Sequence, residues 1–133
     1  MCHPYPYDLY DKLQRWRTLE AWEVPGGLDC VLWLRRSTED FSTGDSRLVD
    51  PGGVPIGEIR IVAGFIPADG YATLLHEMAH IAVDTNHAKI THGARWRSCY
   101  LEAAEEVLGE RVVPDKLTWS GVDDAVVKAF RGA

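Results

Sequence analysis

His76-Glu77-Met78-Ala79-His80, with Leu74-Leu75 before it and Ile81-Ala82-Val83 after it, is the stretch from which this chain is best read. Residues four apart share one face of an α-helix, so a helical His76 and His80 can hold one metal ion. Glu77 lies one step round the same helix, within reach of a water on that ion. Such a site needs neutral imidazoles, an open position for water and a carboxylate that accepts a proton. The surroundings predict a helix over residues 71–83, since no Pro or Gly interrupts that stretch after Gly70 and Asp69 is a candidate N-cap. Apolar residues surround the polar trio on nearly every side, which places the helix in the core. Two His and a Glu there must be ligated or hydrogen-bonded, because buried polar groups without partners are costly. A hydrogen-bonded pair of core histidines is the plain alternative. His92-Gly93, twelve residues past His80, repeats the demand and favours a metal site.

Zinc in a hydrolase takes three protein ligands and one water. His92 ranks first as the third ligand, because it opens a predicted helix and helix-anchored ligands are the better positioned ones. Glu102, Glu105 and Glu106 on that helix are the alternatives, followed by His87 in a polar loop and His3 near a chain end. The metzincin spacing is absent, with Val83 and Asn86 standing where Gly and His belong. No oxyanion donor beyond the metal is legible; Tyr71, Arg95 and Tyr100 are the candidates, each more simply read as core or surface.

Outward from the centre, Ile59, Ile61 and Ala63 alternate with Glu58, Arg60 and Val62, which predicts a strand over residues 56–63. Residues 29–35 read as another strand, with Cys30 as a small core residue. Arg47-Leu48-Val49 can form a short hairpin arm inside an otherwise polar segment, 37–55, that ends in the turn signal Asp50-Pro51-Gly52-Gly53. The acidic residues Glu39, Asp40, Asp45 and Asp50 lack calcium-loop spacing and read as solvated. A helix over residues 7–24 is predicted from Leu9, Leu13, Trp16 and Leu19, with Trp22 near the same stripe. After His92-Gly93, the residues Trp96, Cys99, Tyr100, Ala103 and Val107 form one helical stripe, closed by Gly109. A short tail helix, 122–130, is predicted with Ser120 as cap and a structural role.

The chain has 133 residues, a length for one domain with a proper core, and it is read as a single domain over residues 1–133. Its formal net charge of −6 disfavours nonspecific binding to nucleic acid or anionic membrane. No apolar run is long enough to span a bilayer, and the first residues lack the pattern of a secretory signal. Cys2, Cys30 and Cys99 are odd in number and scattered, which fits a reducing, cytoplasmic setting and no disulfide framework. No C-x-x-C occurs, so a zinc ribbon is excluded.

Gly57-Glu58-Ile59-Arg60-Ile61, then Leu74-Leu75-His76-Glu77-Met78-Ala79-His80, then His92-Gly93-Ala94-Arg95-Trp96 resemble the SprT-like zinc metalloproteases, which include bacterial SprT and the eukaryotic Spartan proteases. The likeness covers roughly residues 5–110, and its double motif, H-E-x-x-H with H-G-x-x-W, is the specific part. The resemblance implies a zincin-like α+β fold, a small and mostly antiparallel sheet packed against an N-terminal helix, the metal-binding helix and a third helix. It implies Zn2+ on His76, His80 and His92, with Glu77 as catalytic base. It also implies peptide-bond hydrolysis by metal-activated water, on protein or peptide substrates that include proteins bound to DNA. Resemblance to zincins further suggests that residues 59–62 form a sheet edge that pairs with an extended peptide. A noncatalytic, zinc-stabilised peptide-binding module is the alternative, although a purely structural site needs no Glu77 and closes with four ligands. The acidic balance predicts weak intrinsic DNA binding, so a DNA-linked role would require a partner.

Overall fold

The computed structural model describes residues 4–35, 44–49, 52, 55–62, 67–85 and 92–132. Among these residues the chain forms an α+β fold of four α-helices and a three-stranded mixed sheet. The order is α1 (Pro4–Trp16), a 3-10 turn (Glu20–Trp22), β1 (Cys30–Arg35), β2 (Gly44–Val49), β3 (Ile56–Val62), α2 (Pro67–Thr85), α3 (Ala94–Leu108) and α4 (Trp119–Gly132).

The apolar centre of the sequence is the centre of the molecule. Helix α2 packs against β2, β3, α1, α3, α4 and the 3-10 turn. Ala72, Leu74, Leu75, Met78, Ala79, Ile81, Ala82 and Val83 are all buried, as a helix without a polar face requires. The helix is longer than residues 71–83. It starts at Pro67, a residue type suited to a first turn, so Asp69 is not its N-cap. Asp69 lies inside the first turn, where its carbonyl accepts from Thr73 Oγ1 at 2.8 Å and its side chain from Arg131 at 3.0 Å.

The strand order is β1-β3-β2, which corrects two expectations. The sheet is not mostly antiparallel: β2 pairs antiparallel with β3, but β1 pairs parallel with it, Leu32 opposite Ile59. A parallel pair needs a crossover, and here the connection from β1 to β3 contains β2 itself. Strand β3 is therefore central rather than an edge, with both sides hydrogen-bonded, and no peptide can add there. The alternation did predict its faces: Gly57, Ile59 and Ile61 are buried, while their neighbours are half-buried. The outward residues form cross-strand ion pairs, Arg60 with Asp45 at 2.6 Å and Arg47 with Glu58 at 3.0 Å. Burial pushes the Cys30 thiol up to about 11, so it is a protonated thiol, as a core residue would be.

The first helix stops at Trp16 instead of running to residue 24. Beyond that point the backbone groups are claimed by distant partners. The Trp16 carbonyl accepts from Trp22 Nε1 at 2.6 Å, and the Arg17 carbonyl accepts from the Leu28 N–H at 2.8 Å. The Glu106 carboxylate of α3 takes the N–H groups of Glu20 and Ala21, both at 3.0 Å, and so caps the 3-10 turn from outside. Trp22 still reaches the core. Helix α3 presents Trp96, Tyr100, Ala103 and Ala104 inward and ends at Gly109, whose N–H bonds the Glu105 carbonyl. Helix α4 begins earlier than expected, at Trp119. Thr118 rather than Ser120 caps it: its Oγ1 accepts from the Gly121 N–H at 3.1 Å.

Candidate metal centre

Helix α2 delivers His76 and His80 to one spot, and the residue preceding the N-cap of α3 delivers His92 to the same spot. His80 Nε2 lies 3.1 Å from His92 Nε2, which lies 3.3 Å from His76 Nε2. Three ring nitrogens converging this closely cannot all satisfy one another as donors and acceptors. They form a donor set that could hold a metal ion. Burial lowers the pKa of His80 to about 3, helped by the neighbouring His76 and His92. Burial and His76 lower that of His92 as well. Both rings are therefore neutral at neutral pH, the form in which imidazole binds metal. The buried His80 Nδ1 has no hydrogen-bond partner among the described residues.

The alternative ligands lie elsewhere. Glu105 accepts from the Val112 N–H at 3.0 Å, Glu106 caps the 3-10 turn, and Glu102 lines a separate hollow with Ala21 and Trp22. His87 and His3 lie outside the described residues, as do Glu39, Asp40 and Asp50. Among the oxyanion candidates, the Tyr71 hydroxyl bonds Asp8, and Arg95 lines the same hollow as Glu102. Tyr100 alone is near the cluster, its ring centroid 5.6 Å from that of His76.

Glu77 is buried beside the histidines, its Oε2 3.9 Å from His76 Nε2. Its Oε1 accepts from Ser46 Oγ at 2.7 Å, a contact from β2 that motif spacing does not reveal. Desolvation raises its pKa, and the pull of His76 and Ser46 only partly offsets this. Strand β2 comes this close because residue 44 is glycine. A Cβ there would meet Thr73 Cγ2 at 2.8 Å and the Arg60 carbonyl at 3.0 Å, with Glu77 Oε2 only 3.5 Å away.

The tail helix is not merely structural. Asp123 places Oδ1 3.3 Å from His76 Nδ1, where it accepts the ring N–H and leaves Nε2 free to face the cluster. The same oxygen lies 2.9 Å from the hydroxyl of buried Tyr100, whose single proton it shares with the Ala72 carbonyl at 3.0 Å. Burial acts to raise the Asp123 carboxyl, but the hydrogen bonds from His76 and Tyr100 outweigh it and hold the pKa below the ordinary value. Sequence offered one faint signal, a carboxylate directly beside Val122, which with Val126 forms the buried stripe of α4. Trp96 completes the floor. Its ring stacks on His80 at 5.0 Å and 17°, and its Nε1 donates to the His76 carbonyl at 3.2 Å.

Comparison of the chain with models of known protein families finds no match, and comparisons with curated proteins and with solved structures find none.

Proposed function

We propose that this chain is a zinc-dependent metallopeptidase, with His76, His80 and His92 as ligands and Glu77 as general base. The observation that carries the reading is a buried carboxylate within 3.9 Å of a three-imidazole cluster. A structural metal site has no use for such a group and closes with a fourth protein ligand. Two of the spacings are compatible with zinc: ligands about 2.0–2.1 Å from a tetrahedral ion stand about 3.3–3.4 Å apart, close to the 3.1 and 3.3 Å between His92 Nε2 and the other two nitrogens. The H-E-x-x-H and H-G-x-x-W resemblance to SprT-like proteases supports the same assignment.

Zinc, when bound, lowers the pKa of water and polarises a carbonyl. Glu77 supplies the proton transfer. Its raised pKa suits a base that takes a proton from water and passes it to the leaving amine. Ser46 holds Oε1 and leaves Oε2 on the histidine side for that exchange. Asp123 fixes the tautomer of His76. Water adds to the peptide carbonyl as its proton passes to Glu77, and the C–N bond then breaks as that proton is given to the leaving amine, without a covalent enzyme intermediate.

The test is activity profiling of the zinc-loaded protein on denatured proteins, beside Glu77→Gln. The variant should keep its zinc and lose at least about a hundredfold in rate, the usual worth of acid–base catalysis. Full activity in Glu77→Gln would end this assignment.

A further inference from the structure

Trp119 stands where the histidine cluster meets solvent. His92 is the exposed member of the three, and the Trp119 ring centroid lies 5.1 Å from its ring, tilted by 30°. The two tryptophans at the site have different fates. Trp96 is 1% exposed and belongs to the core, whereas Trp119 is 50% exposed. The indole is thus left half open at the mouth of the site, on a surface that the packing of the described residues does not use.

The backbone that carries the ring is held in place. Trp119 is the first residue of α4, where Thr118 Oγ1 accepts from the Gly121 N–H and the Thr118 carbonyl accepts from the Val122 N–H at 3.0 Å. Gly121 lies so close to the preceding linker that a Cβ on it would meet the Lys116 carbonyl at 2.4 Å. Asp123, one turn further on, ties the same helix to His76 at 3.3 Å. A tryptophan has only two side-chain torsions, so on a backbone fixed in this way it loses little freedom on contact with a ligand, which makes it an effective anchor. The segment leading to it is apolar as well as open: Leu117 is 70% exposed.

Building on the peptidase reading, we propose that Trp119 determines specificity. Its open face receives a large apolar or aromatic side chain of the peptide substrate, next to the bond presented at the metal. The substrate class is accordingly an extended peptide with Phe, Leu or a similar residue flanking the scissile bond, and small or charged residues are disfavoured there.

The experiment measures binding, so that it stands apart from catalysis. Zinc-loaded Glu77→Gln protein is titrated into fluorescein-labelled hexapeptides of Ala and Gly that carry Phe, Leu, Gly or Lys beside the central bond. The Phe and Leu peptides should bind at least about tenfold more tightly than the Gly peptide, the range typical of burying one large apolar side chain. Adding Trp119→Ala should abolish the difference while zinc content and the affinity for the Gly peptide stay unchanged, and Trp119→Phe should restore most of it. A preference that survives Trp119→Ala, a Lys peptide bound best, or loss of zinc in both Trp119 variants would overturn the proposal; the last outcome would make the ring a shield for His92. The two readings fail separately. Apolar preference without hydrolysis by the Glu77 enzyme sinks the peptidase, and hydrolysis indifferent to the flanking residue sinks the role of Trp119.

Discussion

Asp123 illustrates what a single side chain contributes to the centre. Its Oδ1 gathers the His76 Nδ1 and the Tyr100 hydroxyl, so one carboxylate orients a ligand and links α4 to α3. Partners of this kind are typically worth tenfold to a hundredfold in metal affinity. Asp123→Ala should therefore weaken metal binding by about that factor, whereas Asp123→Asn, which keeps an acceptor oxygen, should lose less. Competition with a chromophoric chelator reads both values, and equal affinity in all three proteins would reject the role. The ligands themselves are ranked by a companion series. His92→Ala should lower affinity by orders of magnitude. Glu105→Ala and Glu106→Ala should leave it intact and instead lower the melting temperature, because their carboxylates bond backbone N–H groups. That His76, His80 and His92 converge with Glu77 beside them was legible, because helical periodicity turns a four-residue spacing into a face, and a second motif names a partner. Asp123 lies 47 positions from His76 and Ser46 lies 31 from Glu77. No local rule reaches that far, since such contacts exist only after the helices have packed.

At the scale of elements, the strongest local patterns were read well and the junctions poorly. An all-apolar α2, the alternation of β3 and the α3 stripe closed by Gly109 each follow from residues adjacent in sequence. The break after Trp16 does not, because its cause is a carboxylate on α3 and a turn that returns to Arg17. The parallel partner of β3 escaped for a similar reason: pairing is chosen between strands, and β1 carries no mark of its neighbour. Helix α4 was placed too late and given the wrong cap, although its start fixes two residues at the metal centre. That start depends on Gly121, where any side chain meets the Lys116 carbonyl. Gly121→Ala should destabilise the fold by about 1–3 kcal/mol, the common cost of overpacking, and should also weaken metal binding by displacing Asp123 from His76. Thermal unfolding and chelator competition test the two parts. A stable variant with native metal affinity would show that the linker yields freely.

At the scale of the molecule, a metal held by the histidine cluster would couple to global stability. The three histidines come from α2 and from the entry to α3, and Asp123 brings in α4, so an ion bound there would tie three helices together. With free zinc at a hundredfold its dissociation constant, the folded state should gain about 2.7 kcal/mol, and chelator should reverse the gain. The pH dependence has a definite sign. His80 titrates at about 3 in the fold against an ordinary value near 6.5, and His92 is shifted the same way. A base with a depressed folded pKa stabilises the fold above its unfolded pKa, and this stability is lost as pH falls toward the folded value. The melting temperature of metal-free protein should therefore decline from about pH 6.5 downward. The zinc-loaded protein should decline more steeply, because protonated imidazole releases metal. A flat profile over that window would contradict the burial of these rings.

Charge across the whole chain decides the remaining question, whether the protein meets nucleic acid directly. The chain carries 14 Lys and Arg against 20 Asp and Glu. Several of the arginines are already neutralised locally: Arg15 pairs with Asp11, Arg17 with Asp29, Arg47 with Glu58, Arg60 with Asp45 and Arg131 with Asp69. Phosphate binding requires basic groups clustered on one surface, each displacing counterions, and an interspersed pattern of opposite charges does not supply that. Near the centre, Arg97 donates to the His92 carbonyl at 3.2 Å and stands beside Arg95 in sequence, which makes at most a small basic spot. Among the described residues the exposed aromatics, Tyr10, Trp33 and Trp119, lie on three separate elements, so they do not form the stacking row along a basic groove that single strands need. We therefore expect weak DNA binding that disappears at physiological salt. If the proposed peptidase works on DNA-bound proteins, another protein must bring it there. The check is cleavage of one protein substrate with and without single-stranded DNA across a salt series. Stimulation confined to low salt, or none, agrees with the charge distribution. Strong stimulation that persists near physiological salt would show that the −6 net charge conceals a working phosphate surface, and would restore the direct DNA-linked role that the SprT-like motifs suggest.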